Sequence, residues 1–170
     1  MFTQPSLPWF HPVTLLSTWF GSGLLPRIPG TWGSIAALPF AWVLIAWGGW
    51  ILLLLAAAAL FPIGIWAAGR YELAAGRDDP GEVVIDEVVG QWIALAPPAI
   101  WISDMPALLF ASIPSFLLFR VFDIWKPWPV NAFERRYKAG LGIMIDDVVA
   151  ALYVICLIIV VTLVFAYLSR

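Results

Sequence analysis

A stretch of 36 residues without a charged side chain, residues 33–68, constrains the fold of this chain more than any other feature. As one straight helix it would be about 54 Å long, whereas the hydrocarbon core of a bilayer is roughly 30 Å thick. A single crossing does not need so many residues, and the pair Gly48 and Gly49 divides the stretch near its middle. We therefore expect a hairpin of two short membrane spans with its turn at these glycines.

The rest of the chain has the same apolar character. Hydrophobic residues make up 62% of the 170 residues and charged residues only 12%, whereas a soluble domain usually carries about a quarter. Three further segments are suited to cross a membrane, at about 86–102, 107–122 and 147–168. The sequence therefore predicts an all-α, polytopic membrane helical bundle with five transmembrane helices, or four as the alternative.

We expect a single domain over residues 1–170, because this length allows one membrane unit and no more. Residues 1–32 would form an interfacial segment with a loop rich in glycine and proline, and residues 33–168 would form the transmembrane bundle. No basic segment precedes the first apolar stretch, so no cleavable signal peptide is expected.

The basic residues predict how the bundle is oriented. With five spans, eight of the nine fall on one side of the membrane, and the connections on the other side carry none. Basic residues accumulate on the cytoplasmic side, so we expect this face in the cytoplasm and Arg170 across the membrane. The eight residues are Arg27, Arg70, Arg77, Arg120, Lys126, Arg135, Arg136 and Lys138.

Five carboxylates stand where the predicted spans begin or end on the cytoplasmic side. Ionised groups at membrane depth are costly unless they are paired or bound to a cation. Capping of the helix ends by acidic residues is the alternative reading. With no histidine or cysteine nearby, such a set suits a hard cation that prefers oxygen ligands, such as Mg²⁺. The five are Asp86, Glu87, Asp123, Asp146 and Asp147.

The remaining titratable candidates are expected to have no part in chemistry. Asp78, Asp79 and Glu82 lie in a polar loop and should be solvated. The only histidine, His11, and the only cysteine, Cys156, lie in an aromatic N-terminal stretch and in an apolar run. One cysteine forms neither a disulfide nor a cysteine metal site.

Two polar segments could bind an anion on the same side. Residues 21–34 contain four glycines and two prolines, so they should not form a regular helix, and their backbone N–H groups could face a phosphate beside Arg27. An interfacial turn is the alternative. The second segment places three residues on one helix face at a spacing of three: Arg120, Asp123 and Lys126. Pro127 should end this helix near Lys126. A surface ion-pair ladder is the alternative interpretation of the three residues.

Carboxylates beside basic groups at a lipid–water boundary indicate metal-assisted phosphoryl chemistry on a lipid headgroup. Composition and spacing do not choose between hydrolysis and transfer. The net charge of -2 gives no sign of nucleic-acid binding. Downstream, Gly140 and Gly142 are expected to loosen the chain before Asp146 and Asp147 open the last span.

Four strings in the chain resemble the phosphatidylglycerophosphatase A family: GLLPRIPGTWGS, VIDEVVGQW, FRVFDIWKPWP and GLGIMIDDVVA. They follow the family order along the chain. The resemblance implies removal of the terminal phosphate from phosphatidylglycerophosphate to give phosphatidylglycerol. It also implies a need for Mg²⁺ and a place in the bacterial cytoplasmic (inner) membrane, with the active site facing the cytoplasm. The oligomeric state stays open.

On this resemblance we assign roles to the matching residues. The five carboxylates would hold one or two Mg²⁺ ions, and one of them would act as general base or as nucleophile. A second set would bind the substrate phosphate: Arg27, Gly30, Thr31, Gly33, Arg120 and Lys126.

The rival functions are a small membrane transporter and another membrane phosphotransferase with a charged cytoplasmic vestibule. A transporter would carry its ionisable groups near the bilayer midplane, whereas here they stand at the ends of spans. The chain lacks the aspartate pattern of CDP-alcohol phosphotransferases, the paired histidines of histidine-type lipid phosphatases and the Asp-x-Asp motif of haloacid dehalogenases.

Overall fold

A computed structural model describes residues 7–128 and 140–169. All regular elements in these two ranges are helical, as predicted: α1 (Pro12–Ser17), a single 3-10 turn (Ser22–Leu24), α2 (Pro29–Ala75), α3 (Ile85–Trp101), α4 (Met105–Trp125) and α5 (Gly140–Leu168). Four of the basic residues that predict the orientation of the bundle lie outside the described residues: Arg135, Arg136, Lys138 and Arg170.

Helix α2 folds back on itself at the predicted glycine pair. Gly48 and Gly49 have non-helical backbone angles, and Gly49 has a φ of +65°, which favours glycine. A Cβ atom on Gly33 would lie 2.5 Å from Val84, and one on Gly64 would lie 3.6 Å from Ile85, so both glycines contact the start of α3. In a straight helix they would be about 46 Å apart. The two arms of α2, residues 29–47 and 50–75, are therefore antiparallel.

Three described helices, α2, α4 and α5, are long and apolar enough to cross a membrane. Helix α3 has 17 residues and is the most enclosed of the long helices, with most of its side chains buried. At about 26 Å it is close to the lower limit for a span. The all-helical membrane bundle is confirmed, and the number of crossings stays a prediction.

Hydrogen bonds between helices hold α3 at the centre of the bundle. The indole of Trp92 donates to the carbonyl of Ala37 on α2 at 3.0 Å, and the Ser115 hydroxyl of α4 donates to the carbonyl of Ala94 at 2.8 Å. Such bonds, together with small residues at the contacts, are typical of helix packing in membranes. The N-terminal end of α3 is thereby placed between both ends of α2 and the polar ends of α4 and α5.

Two predicted boundaries are wrong. Helix α5 begins at Gly140, not at Asp147, because Gly140 lets the backbone of α5 approach α2, where a Cβ atom would lie 2.1 Å from the carbonyl oxygen of Ile65. Asp147 is consequently about two turns inside α5. Helix α2 begins inside the segment expected to be irregular, at Pro29, because proline suits the first helical position. Helix α4 ends at Trp125, with Lys126 as its C-terminal cap, close to the predicted end.

Candidate active site

The centre of the site is a group of three carboxylates from two helices, which we call the carboxylate cluster: Asp86, Glu87 and Asp147. One oxygen atom of each lies within 4.8 Å of the others. The first two stand in the first turn of α3, where the helix dipole favours acidic groups. The dipole does not explain Asp147, which comes from α5 and is 3% exposed. Three like charges this close repel one another unless a cation lies between them.

Asp123 of α4 lies beside the cluster. Its carboxylate interacts electrostatically with each of the three members. The Nη1 atom of Arg120 lies 2.5 Å from Asp123 Oδ2 and 3.7 Å from Glu87 Oε1. The guanidinium group therefore joins α4 to α3 at the edge of the cluster.

The first turn of α2 closes the site on another side. A Cβ atom on Gly30 would lie 2.0 Å from Glu87 Oε1 and 3.0 Å from Arg120 Nη2, so only glycine leaves room there. Thr31 is half-buried in the same turn. Gly33, which is predicted to bind phosphate, packs against the side chain of Val84.

Asp146 is not among the three clustered carboxylates, although it is next to Asp147 in sequence. Neighbouring residues in a helix are about 100° apart around its axis, so their side chains face different surroundings. The Asp146 carboxylate accepts a hydrogen bond from Lys126 Nζ at 3.1 Å. Lys126 ends α4 in a left-handed conformation with a φ of +44°. The two groups, predicted as metal ligand and phosphate ligand, thus form an ion pair that links α4 to α5.

Arg27 is not brought against the carboxylates. It is exposed, has a φ of +75°, and stands between the exposed apolar residues Leu25 and Ile28. It makes no ion pair with any residue in the described ranges. It lies three residues before Gly30 in sequence.

Sequence reasoning missed two residues that shape the site. The Ser34 hydroxyl accepts a hydrogen bond from Arg120 at 3.5 Å. Gly90 lets α4 and α5 approach α3, because a Cβ atom there would lie 2.6 Å from the Phe119 ring and 3.0 Å from the Asp147 carbonyl oxygen. Ser34 stands within the string GTWGS, but no spacing rule links it to an arginine 86 residues away.

The remaining polar residues have structural roles. Glu82 was expected to be solvated, which is wrong: it is 5% exposed, pairs with Arg77 and accepts a hydrogen bond from the Tyr71 hydroxyl. His11 Nδ1 accepts from the backbone N–H of Val13 at the start of α1. Cys156 is exposed on α5.

The carboxylate cluster fits a divalent cation of the Mg²⁺ type. Each member has one buried oxygen without a hydrogen-bond partner: Asp86 Oδ1, Glu87 Oε2 and Asp147 Oδ2. Buried polar atoms are nearly always paired, so three unpaired oxygens in one place fit the binding of a cation there. Carboxylate oxygens are the ligands that Mg²⁺ prefers.

Comparison with known proteins agrees with the resemblance seen in the sequence. A sequence model of the family described as phosphatidylglycerophosphatase A matches residues 15–162. A protein of that name from Escherichia coli is 41% identical over 140 residues, which are 82% of this chain and 77% of that protein. Another from Haemophilus influenzae is 38% identical over 149 residues, 87% of each chain.

A third relative carries a different name. A protein of Bacteroides thetaiotaomicron, named as a candidate phosphatidylinositol-3-phosphatase, is 40% identical over 161 residues, 89% of this chain and 93% of that protein. No solved structure matches the chain significantly. The family match spans most of the sequence and includes every member of the carboxylate cluster, so the chain belongs to the phosphatidylglycerophosphatase A family.

Proposed function

We propose that this chain is a Mg²⁺-dependent lipid phosphatase of phospholipid biosynthesis. It hydrolyses the terminal phosphomonoester of phosphatidylglycerophosphate and releases phosphatidylglycerol and phosphate. The names of the relatives support a phosphatase that acts in this pathway. The observation that carries the proposal is the convergence of Asp86, Glu87 and Asp147 within 4.8 Å, because Asp147 comes from a part of the sequence distant from the other two.

The three members of the carboxylate cluster would hold the cation. A Mg²⁺ ion held there would supply positive charge next to the phosphomonoester and would make a water more acidic for attack. Asp123 lies beside the cluster and adds negative charge on the α4 side. Asp146, paired with Lys126, would stabilise the packing of α5 that places Asp147.

The phosphate would enter from the side of the first turn of α2. Gly30 and Thr31 lie there, and backbone N–H groups at the start of a helix favour an anion. Arg27, exposed near this turn, would neutralise charge on the lipid headgroup. Apolar residues flank Arg27 on both sides, which suits a lipid whose acyl chains stay in the bilayer.

The protein would lie in the bacterial cytoplasmic membrane with its site facing the cytoplasm. The basic residues Arg27, Arg70, Arg77 and Lys126 belong to the same end of the bundle as the carboxylate cluster, which supports this orientation. The site would thus stand at the headgroup level of the inner leaflet.

The test is phosphate release from phosphatidylglycerophosphate by the full chain purified in detergent. We expect release with Mg²⁺, loss of release with EDTA, and recovery on adding Mg²⁺ back. Asp86→Asn and Asp147→Asn should each lower kcat by about a thousandfold or more, since a cluster with fewer carboxylates holds the cation poorly. Asp78→Asn, on an exposed loop residue, is the matched control.

Three outcomes would overturn the proposal: no phosphate release from the wild-type chain, release that persists in EDTA, or full activity of both cluster variants. The same assay with phosphatidylinositol 3-phosphate would show whether that lipid is preferred, as the name of the third relative suggests. Solute flux in liposomes without phosphate release would support a transporter instead.

A further inference from the structure

Arg120 is predicted to bind the substrate phosphate, yet one nitrogen of its guanidinium group already faces several oxygens of the protein. Its Nη1 atom lies near three oxygens from three helices: Asp123 Oδ2 at 2.5 Å, Ser34 Oγ at 3.5 Å and Glu87 Oε1 at 3.7 Å. The backbone of α2 at Gly30 closes the side where Nη2 lies. Only 14% of its side chain is exposed.

The position of Arg120 in the sequence explains this enclosure. It precedes Asp123 by three residues on α4, so the two side chains share one face of that helix. Glu87 projects from the first turn of α3 toward the same place. Because both carboxylates carry the same charge, they would repel one another without a cation between them.

We propose that Arg120 is a positioning residue, which fixes the carboxylates of Glu87 and Asp123 and does not bind the phosphate that is cleaved. This inference rests on the proposed function. The planar guanidinium suits the task, because its fixed donors can contact several oxygens at once. A lysine ammonium is a point charge and would pair with one carboxylate at a time.

The test compares Arg120→Gln and Arg120→Lys with the wild-type chain in detergent. A misplaced catalytic group lowers the rate of the chemical step by about 100-fold. We therefore expect kcat to fall by about that factor in Arg120→Gln, with KM for the lipid unchanged within about twofold. The Kd of a non-hydrolysable phosphonate analogue should also stay within about twofold of the wild-type value. Arg120→Lys should retain a small part of the activity that Arg120→Gln loses.

Two further measurements separate positioning from a merely structural role. In Arg120→Ala, added guanidinium ions should restore part of kcat, whereas methylammonium ions at the same concentration should not. Arg70→Gln is the matched control, because Arg70 is an exposed arginine at the same end of the bundle and should leave kcat and KM unchanged. The thermal midpoint of each variant, measured without substrate, reports on folding.

Each outcome decides the inference. An increase in KM and Kd of about tenfold with unchanged kcat would make Arg120 a phosphate ligand and overturn it. Loss of kcat that follows a lowered thermal midpoint, with no rescue by guanidinium, would also overturn it. Failure of the wild-type chain to release phosphate would instead overturn the proposed function, so the two are distinguishable.

Discussion

At the scale of single residues, the site depends on contacts that leave no room for a side chain. Gly30 is the clearest case, because Glu87 and Arg120 occupy the space where its Cβ atom would stand. Its conformation is ordinary for a helix, so the need for glycine comes from close approach and not from a left-handed backbone.

We predict that Gly30→Ala displaces Glu87 and lowers kcat by at least about tenfold, since catalytic groups tolerate little misplacement. Alanine normally stabilises a helix relative to glycine. Here overpacking should reverse the sign and lower the free energy of unfolding by about 1–3 kcal/mol. Phosphate release and thermal unfolding of the detergent-purified variant measure both effects.

The control for this variant is Gly81→Ala. A Cβ atom on Gly81 would meet nothing within 4 Å, and the residue is exposed on a loop. That variant should behave like the wild-type chain. Equal activity of the two alanine variants would contradict the close contact between α2 and Glu87.

The candidate site was partly predictable at this scale. Asp86, Glu87 and Asp147 could be identified because ionised groups in apolar segments are costly unless they are paired or bound to a cation. Ser34 and Gly90 could not, because their roles depend on which helices touch, and no local pattern encodes that contact. Asp146 was grouped with Asp147 because sequence neighbours look equivalent until their directions around the helix are known.

At the scale of helices, the packing of α5 against the second arm of α2 decides where Asp147 stands. The contact is closest at Gly140, next to the backbone of Ile65 and Gly69. The other glycine of this contact is less crowded, because a Cβ atom on Gly69 would lie 3.6 Å from the nearest atom of Gly140, an ordinary distance. The two glycines therefore form a matched pair for experiment.

We predict that Gly140→Ala pushes the first turn of α5 away from α2 and moves Asp147 with it. Its thermal midpoint should fall, and phosphate release should fall with it by about tenfold or more. Gly69→Ala should keep both near the wild-type values. Similar losses of stability and activity in the two variants would contradict this prediction. They would show that the contact needs small residues in general and not the close approach of Gly140 in particular.

The helices themselves were largely predictable, and their ends were not. Long apolar segments and the Gly48–Gly49 turn predicted the two arms of α2, and Pro127 predicted the end of α4. The predicted start of α5 is wrong because Gly140 and Gly142 are expected to loosen the chain, whereas both lie inside the helix. In a membrane bundle, glycine inside a helix instead allows two backbones to approach.

At the scale of the whole molecule, the number of crossings depends on α3. If α3 crosses, the loop before it and the loop after it lie on opposite sides of the membrane. Asp78 and Ser103 are exposed residues in these two loops and serve as reporters.

We predict that single cysteines at the two positions, in a Cys156→Ser background, are labelled from opposite sides. An impermeant maleimide should label Asp78→Cys only in inverted membrane vesicles and Ser103→Cys only in right-side-out vesicles, because basic residues accompany the first loop. Labelling of both from the same side would contradict the five-span arrangement. Phosphate release by each labelled variant checks that the protein remains folded.

The carboxylate cluster also has a consequence for the order of events during synthesis. Asp86 and Glu87 leave the ribosome well before Asp147, which lies in the last helix. Membrane proteins are made from the N-terminus, and the early helices insert first. The three unpaired oxygens can meet only after the final helix has entered the bilayer, so a nascent or truncated chain has no complete cation site. Catalytic competence would thus report that insertion is finished.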